Sequence, residues 1–241
     1  PFYGCLNLES VEFEPGIKRL PDCILDGCNA ELSITIPNSV TNIGFCAFRN
    51  SGVVSVFIPD TTAKIEESAF SACTSLTSIK IPDSVTYMGK SVFANCTSLT
   101  DVTLPNAWES IPASTFAGCT VLEKLVLPES VKNIRDSAFK NCTALKELVW
   151  SKAPELIESN AFYNCDAITE MDIPATVTSV GYQAFYDCDG LTKITIPDSV
   201  TSLGDSVFYD CDALTDVKLG AGITTIPASA FRHCDALEQL T

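Results

Sequence analysis

A chain of 241 residues with 46% apolar content is long enough and hydrophobic enough to bury a core. Its 15 Lys plus Arg against 30 Asp plus Glu leave a formal charge of −15, which repels polyanions at long range and argues against nucleic acid as a partner. No apolar run approaches the roughly 20 residues needed to cross a bilayer, so no membrane insertion is expected within this segment.

The chain opens in mid-repeat. Phe2 and Cys5 are followed 23 residues later by Leu25 and Cys28, and the same spacing then continues. One column runs through Phe48, Phe70, Phe93, Phe116, Phe139, Phe162, Phe185, Phe208 and Phe231, and a second through Cys73, Cys96, Cys119, Cys142, Cys165, Cys188, Cys211 and Cys234. The one 22-residue step, Phe48 to Phe70, holds a deletion beside Ser51, which also stands where the column would place a cysteine. Fixed periods of 20 to 50 residues mean stacked supersecondary units. Starting at Phe2 in mid-repeat, residues 1–241 read as a single solenoid domain cut from a longer protein, with export signal and anchor elsewhere.

One unit is seen whole in Ile81-Pro82-Asp83-Ser84-Val85-Thr86-Tyr87-Met88-Gly89, followed by Val92-Phe93, Cys96, Leu99, Val102 and Leu104-Pro105. The stretch LxxIxIP alternates apolar and polar residues, as at Ile79-Lys80-Ile81 and Ile194-Thr195-Ile196, and reads as a short strand. Pro37, Pro59, Pro82, Pro105, Pro128, Pro174 and Pro197 lack an amide donor and end it. A second brief extended piece follows, with Val40, Val85, Val131, Val177 and Val200 inward beside Ile43, Met88, Ile134, Val180 and Leu203. Gly44, Gly89, Gly181 and Gly204 are expected to form a further corner through backbone freedom.

A coil this small cannot bury its apolar side alone, so its neighbours must. Stacking at roughly 4.8 Å gives about ten 23-residue coils, a parallel sheet along one face and continuous core columns.

The chain resembles the BspA-like, Treponema-type leucine-rich repeats of bacterial surface proteins, on its repetitions of CxxLxxIxIP along nearly its whole length. It departs from the general LxxLxLxxN pattern, because Ser39, Ser84, Ser130, Ser199 and Thr176 occupy the Asn column. Their hydroxyls are expected to cap turn amides as the Asn does. The resemblance implies a right-handed leucine-rich-repeat superhelix, mostly β and irregular, with its sheet on the concave side. It also implies an extracellular or cell-surface location and adhesion to a host or neighbouring-cell protein.

The cysteine column reads as buried small apolar side chains rather than reactive thiols or metal ligands, because each coil supplies one thiol and no CxxC pair exists. Cys23 and Cys46 form a separate two-member column and are the pair best placed for a disulfide. No metal, cofactor or catalytic group is expected. His233 beside Cys234 stands where other coils have Asn95, Asn141, Asn164, Asp187 and Asp210, which points to a surface corner. The strip Tyr163, Asp166, Tyr186, Asp187, Asp189, Tyr209, Asp210, Asp212 and Asp235 puts like charges at coil spacing, and either solvent or a calcium ion relieves that repulsion.

The outward strand positions, by contrast, share no chemistry: Glu12, Thr35, Phe57, Lys80, Thr103, Val126, Val149, Asp172, Thr195 and Lys218. A partner protein is expected to contact Phe57, Lys80, Thr103, Val126, Val149, Asp172, Thr195 and Lys218. The competing readings are plain β propensity on a half-exposed sheet, and a stalk whose faces bind nothing while it presents another domain of the parent protein.

Overall fold

The computed structural model describes residues 2–241 as short parallel strands and turns, with no helix among them. Each coil has three sides. The first carries the longer strands, Leu32–Thr35, Val53–Phe57, Ser78–Lys80, Asp101–Thr103, Lys124–Val126, Glu147–Val149, Glu170–Asp172, Lys193–Thr195, Asp216–Lys218 and Gln239–Leu240. Ten such strands agree with the ten coils read from the repeat. Side chains alternate in and out along them, so that Leu125 is buried between exposed Lys124 and Val126. Every pairing is parallel and joins residues one coil apart: Lys124, Leu125 and Val126 lie against Glu147, Leu148 and Val149. The deletion near Ser51 is absorbed as a register shift, with Leu32 against Val53 but Ser33 against Ser55, which bulges Val54 out of the ladder.

Proline then turns the chain. The carbonyls of Pro37, Pro82, Pro128 and Pro197 accept the amides of Val40, Val85, Val131 and Val200 at 2.9–3.1 Å. The turn hydroxyls do not cap these amides as the sequence suggested. Ser84, Ser130 and Ser199 Oγ instead donate to the carbonyl oxygens of Thr62, Trp108 and Val177 in the preceding coil, at 2.6–2.7 Å. A hydroxyl is both donor and acceptor, and stacking presents it with an open carbonyl rather than an open amide.

Beyond the turn lies the second side, a ladder of two-residue strands from Arg19–Leu20 to Ser202–Leu203. Gly44, Gly89, Gly181 and Gly204 follow it, but none has a positive φ, so backbone freedom is not why they are glycine. A Cβ on Gly204 would stand 2.2 Å from the Tyr182 amide nitrogen, and one on Gly89 2.3 Å from that of Glu67. Close approach of coils is the reason, and Glu66 and Arg135 in the same column show that other coils leave room for a side chain.

The third side is a ladder that side-chain periodicity does not announce. The amides of Cys46, Phe48 and Asn50 donate to the carbonyls of Glu67, Ala69 and Ser71, at 2.7–3.1 Å, and the pattern repeats down to Ser206, Phe208 and Asp210 on Ala228, Ala230 and Arg232. It needs left-handed backbone two residues before and after each phenylalanine. Ser91 (φ 57°) and Asn95 (φ 60°) flank Phe93, and Ser137 (φ 56°) and Asn141 (φ 60°) flank Phe139. Short polar side chains tolerate that region better than β-branched ones.

Inside the three sides one apolar cluster runs from Leu20 to Cys234. Phe48 to Phe231 stack as offset rings with centroids 5.0–5.9 Å apart. Such contact adds roughly 0.5–1.5 kcal/mol per pair to the burial of each ring.

Two tryptophans interrupt this regularity. Trp108 takes the place of the inward valine, and Pro112, in the glycine column, offers no amide. There the short-strand ladder breaks: every Cα of Tyr87–Met88 is more than 8 Å from those of Ser110–Ile111. Past Trp150, which meets Phe162 edge to face at 6.2 Å, the long strands Glu147–Val149 and Glu170–Asp172 separate by more than 8 Å as well. The third side continues past both openings, with Phe93 donating to Thr115 at 3.0 Å and Phe139 to Ala161 at 2.8 Å.

Candidate functional site

The expected contact residues fall into four hydrogen-bonded groups rather than one continuous sheet, because the strands of Phe57 and Lys80, of Thr103 and Val126, and of Val149 and Asp172 are not paired. Thr35 lies beside Phe57, Lys80 beside Thr103, Val126 beside Val149, and Asp172, Thr195 and Lys218 in succession. Glu12 falls outside any strand. Phe57 and Val126 are 58% and 56% exposed, whereas Val149 and Thr195 are half-buried. Among the clefts on this face are two of similar size. One of about 460 Å³ lies between Thr103 and Val126, rimmed by Asn106 and Glu129. The other, about 470 Å³, lies beside Lys80, Asp83 and Thr103. Around the apolar centre sit cross-coil ion pairs, Lys124 with Glu147 at 2.8 Å and Lys193 with Asp216 at 3.7 Å. Both pairs are exposed, and such pairs are worth at most about 1 kcal/mol.

The other chemistry-bearing residues are held in structural roles. From Cys96 onwards each column thiol donates to the carbonyl of the phenylalanine 26 residues upstream, Cys96 to Phe70 at 3.1 Å and Cys165 to Phe139 at 3.1 Å, and Cys73 reaches Phe48 across 25 residues at 3.0 Å. Burial pushes Cys119 and Cys188 up to about 12 and Cys142 and Cys165 well above the ordinary thiol range. Cys23 and Cys46 are both free thiols. Cys234 is turned to the Phe208 carbonyl at 2.9 Å, while the exposed His233 ring stands edge-on to Tyr209, 5.3 Å between centroids. Neither side chain is bonded to the other.

On the corner face Tyr163, Tyr186 and Tyr209 stack at 4.8 Å, with Lys140 Nζ 4.3 Å from the Tyr163 centroid and Arg232 5.7 Å from that of Tyr209. Beside them burial, and after it the neighbouring carboxylates, hold Asp187 and Asp189 above the ordinary carboxylate range. No three His, Cys, Asp or Glu side chains form a metal-ligand group among the described residues. Among those residues no helix is long and apolar enough to cross a membrane.

A model of the BspA type leucine rich repeat region matches residues 1–123 and 109–238, in six copies. The chain belongs to the BspA-type leucine-rich repeat family. Its solenoid is similar to a leucine-rich repeat protein from Bacteroides ovatus, at 27% identity over 92% of this chain and 69% of that one, with a TM-score of 0.73. It is also similar to a leucine rich cell surface protein from Faecalibacterium prausnitzii, at 26% identity over 90% of this chain and 74% of that one, TM-score 0.56. The Treponema pallidum leucine-rich repeat protein, 23% identical over 76% of this chain and 78% of that one, has a TM-score of 0.53 and shares the fold. No curated protein matches.

This BspA-type array also holds one buried ion pair that the repeat pattern does not signal. Asp26, 1% exposed, receives Arg49 Nε at 3.1 Å and Nη2 at 2.6 Å, and that bond raises the guanidinium pKa. The available clue is charge at the position after the column phenylalanine, where Arg49 follows Phe48 one coil below Asp26.

Proposed function

We propose that this array is a non-catalytic recognition module, displayed outside a bacterial cell, whose long-strand face binds a protein of a host or neighbouring cell. The observation that carries the reading is the row of outward strand positions from Phe57 to Lys218, varied in chemistry and exposed and apolar at Phe57 and Val126, where a solvated face has no use for it. The cell-surface description of the Faecalibacterium relative and the family's leucine-rich repeats support the location and the binding role. The continuous backbone ladder on the phenylalanine side and the stacked core beneath hold those positions in place, which lowers the entropic cost of binding.

The test is a binding screen against extracellular proteins with the wild type, Phe57→Asp and Val126→Asp. A ligand bound by the wild type and weakened at least tenfold by both changes supports the reading. Ligands indifferent to both changes, or none at all, overturn it. A stalk predicts a different result, loss of parent-protein function in proportion to the number of coils deleted.

A further inference from the structure

We infer that the opening between Tyr87–Met88 and Ser110–Ile111 is a second binding site, which takes a short extended peptide and seats one apolar side chain of that peptide on Trp108. It lies on the short-strand side, away from the proposed recognition face, so its failure would leave that reading untouched. The opening is a slot of about 310 Å³, walled by Val85, Tyr87 and Met88 on one coil and by Trp108, Ser110 and Pro112 on the next.

Three observations select a peptide. First, the walls are strand edges that have lost their partners. One coil earlier, Tyr87 N–H donates to Ala63 O at 3.2 Å and Gly89 N–H to Ile65 O at 2.9 Å. The equivalent bonds, from Ser110 to Thr86 and from residue 112 to Met88, are missing among the described residues, the second because Pro112 has no N–H. Backbone donors and acceptors thus face the slot from both sides, and an extended backbone is the ligand that matches them. Second, the walls are more than 8 Å apart, too far for their edges to satisfy one another across the single inter-strand spacing of roughly 4.8 Å. Third, the floor cannot close by collapse. The Trp108 indole, 6% exposed, is pinned by its N–H to the Val85 carbonyl at 2.9 Å, and the part of it that remains accessible lines the slot with apolar surface. Small aromatic molecules fit the floor but leave the edges unpaired.

The probe is the capped peptide acetyl-Thr-Val-Phe-Val-Thr-amide, titrated by calorimetry into the wild type and by fluorescence into Trp150→Phe, where emission comes from Trp108 alone. Saturable binding with a shift of Trp108 emission is expected. The same peptide N-methylated along its backbone should bind at least tenfold more weakly, because it cannot donate to the Thr86 and Met88 edge. Trp108→Val with Pro112→Gly, which rebuilds the regular coil, should also weaken the parent peptide at least tenfold while still melting cooperatively. No binding by the wild type, equal binding of the methylated peptide or of 3-methylindole, or undiminished binding by the folded double variant overturns the inference. If the double variant does not fold, the methylated pair on the wild type decides alone.

Discussion

The Cys96 thiol donates to the carbonyl oxygen of Phe70, 3.1 Å away in the coil before, and that carbonyl also accepts the amide of Cys73 from its own coil. One backbone oxygen thereby ties together two coils and a corner. Replacing a mid-array thiol, Cys142→Ala, leaves a cavity and removes the bond to Phe116. A loss of about 1–3 kcal/mol in urea unfolding is expected. Cys142→Ser should lose less, since Ser51 already serves in this column, buried 3.5 Å from Cys73 Sγ. An alanine variant as stable as the wild type would show the thiols to be mere filler.

Alkaline pH should dismantle the array from its thiols. Burial raises the folded pKa values of the mid-array thiols Cys119, Cys142, Cys165 and Cys188, to about 12 at Cys119 and Cys188, above a free value near 8.5. Below the free value neither state has lost the proton, and the contribution is intact. Between roughly pH 9 and 12 the unfolded chain ionises while the folded one does not, so stability falls as pH rises. Melting temperatures from pH 8 to 11 should drop steeply. For the same reason iodoacetamide at pH 8 should label the partly exposed Cys5 and Cys23 well before any fully buried column thiol.

Phe139→Ala removes one ring from the middle of the stack, between Phe116 and Phe162 at 5.7 and 5.4 Å. It should cost about 3–5 kcal/mol. Phe139→Leu should cost clearly less, because Leu25 fills the same column fully buried. Denaturant titrations of the two variants check the order.

Arg49→Met strands the Asp26 carboxylate in the core. Removing one partner of a buried pair costs about 3–5 kcal/mol, and the low end applies here because the Arg49 side chain is 40% exposed. Asp26→Asn in the same background should restore most of the loss. A double-mutant cycle that finds the two changes additive would show the pair to be uncoupled.

Asp187→Asn should raise the melting temperature at neutral pH in low salt. Its raised pKa means that the folded state resists ionisation, so the charge destabilises above the carboxylate range and the penalty fades as pH falls. Asparagine suits the left-handed backbone there, as at Asn141 and Asn164. The gain should shrink as salt screens Asp189 and Asp210.

The repeat, both strand runs and the outward facing of Phe57 and Val126 were legible because they depend on side-chain period. The third ladder was not. It depends on φ at Ser91, Asn95 and their equivalents, and a column of Ser and Asn two residues from a phenylalanine reads equally well as solvent-facing polarity. The direction of the Ser84 and Ser130 hydroxyl bonds was hidden for a related reason, since a hydroxyl in sequence does not say whether a neighbouring coil will present a carbonyl or an amide. Glycine at 89 and 204 was legible as a constraint, but its cause lay in how closely adjacent coils approach. Trp108 and Pro112 depart from their columns in plain view, and only geometry shows that the neighbouring strands there are unpaired.

The two openings lie on different sides, and the phenylalanine side holds at both. The phenylalanine side is therefore the ladder that links every coil to the next, so neighbouring coils stay joined there wherever a strand side opens.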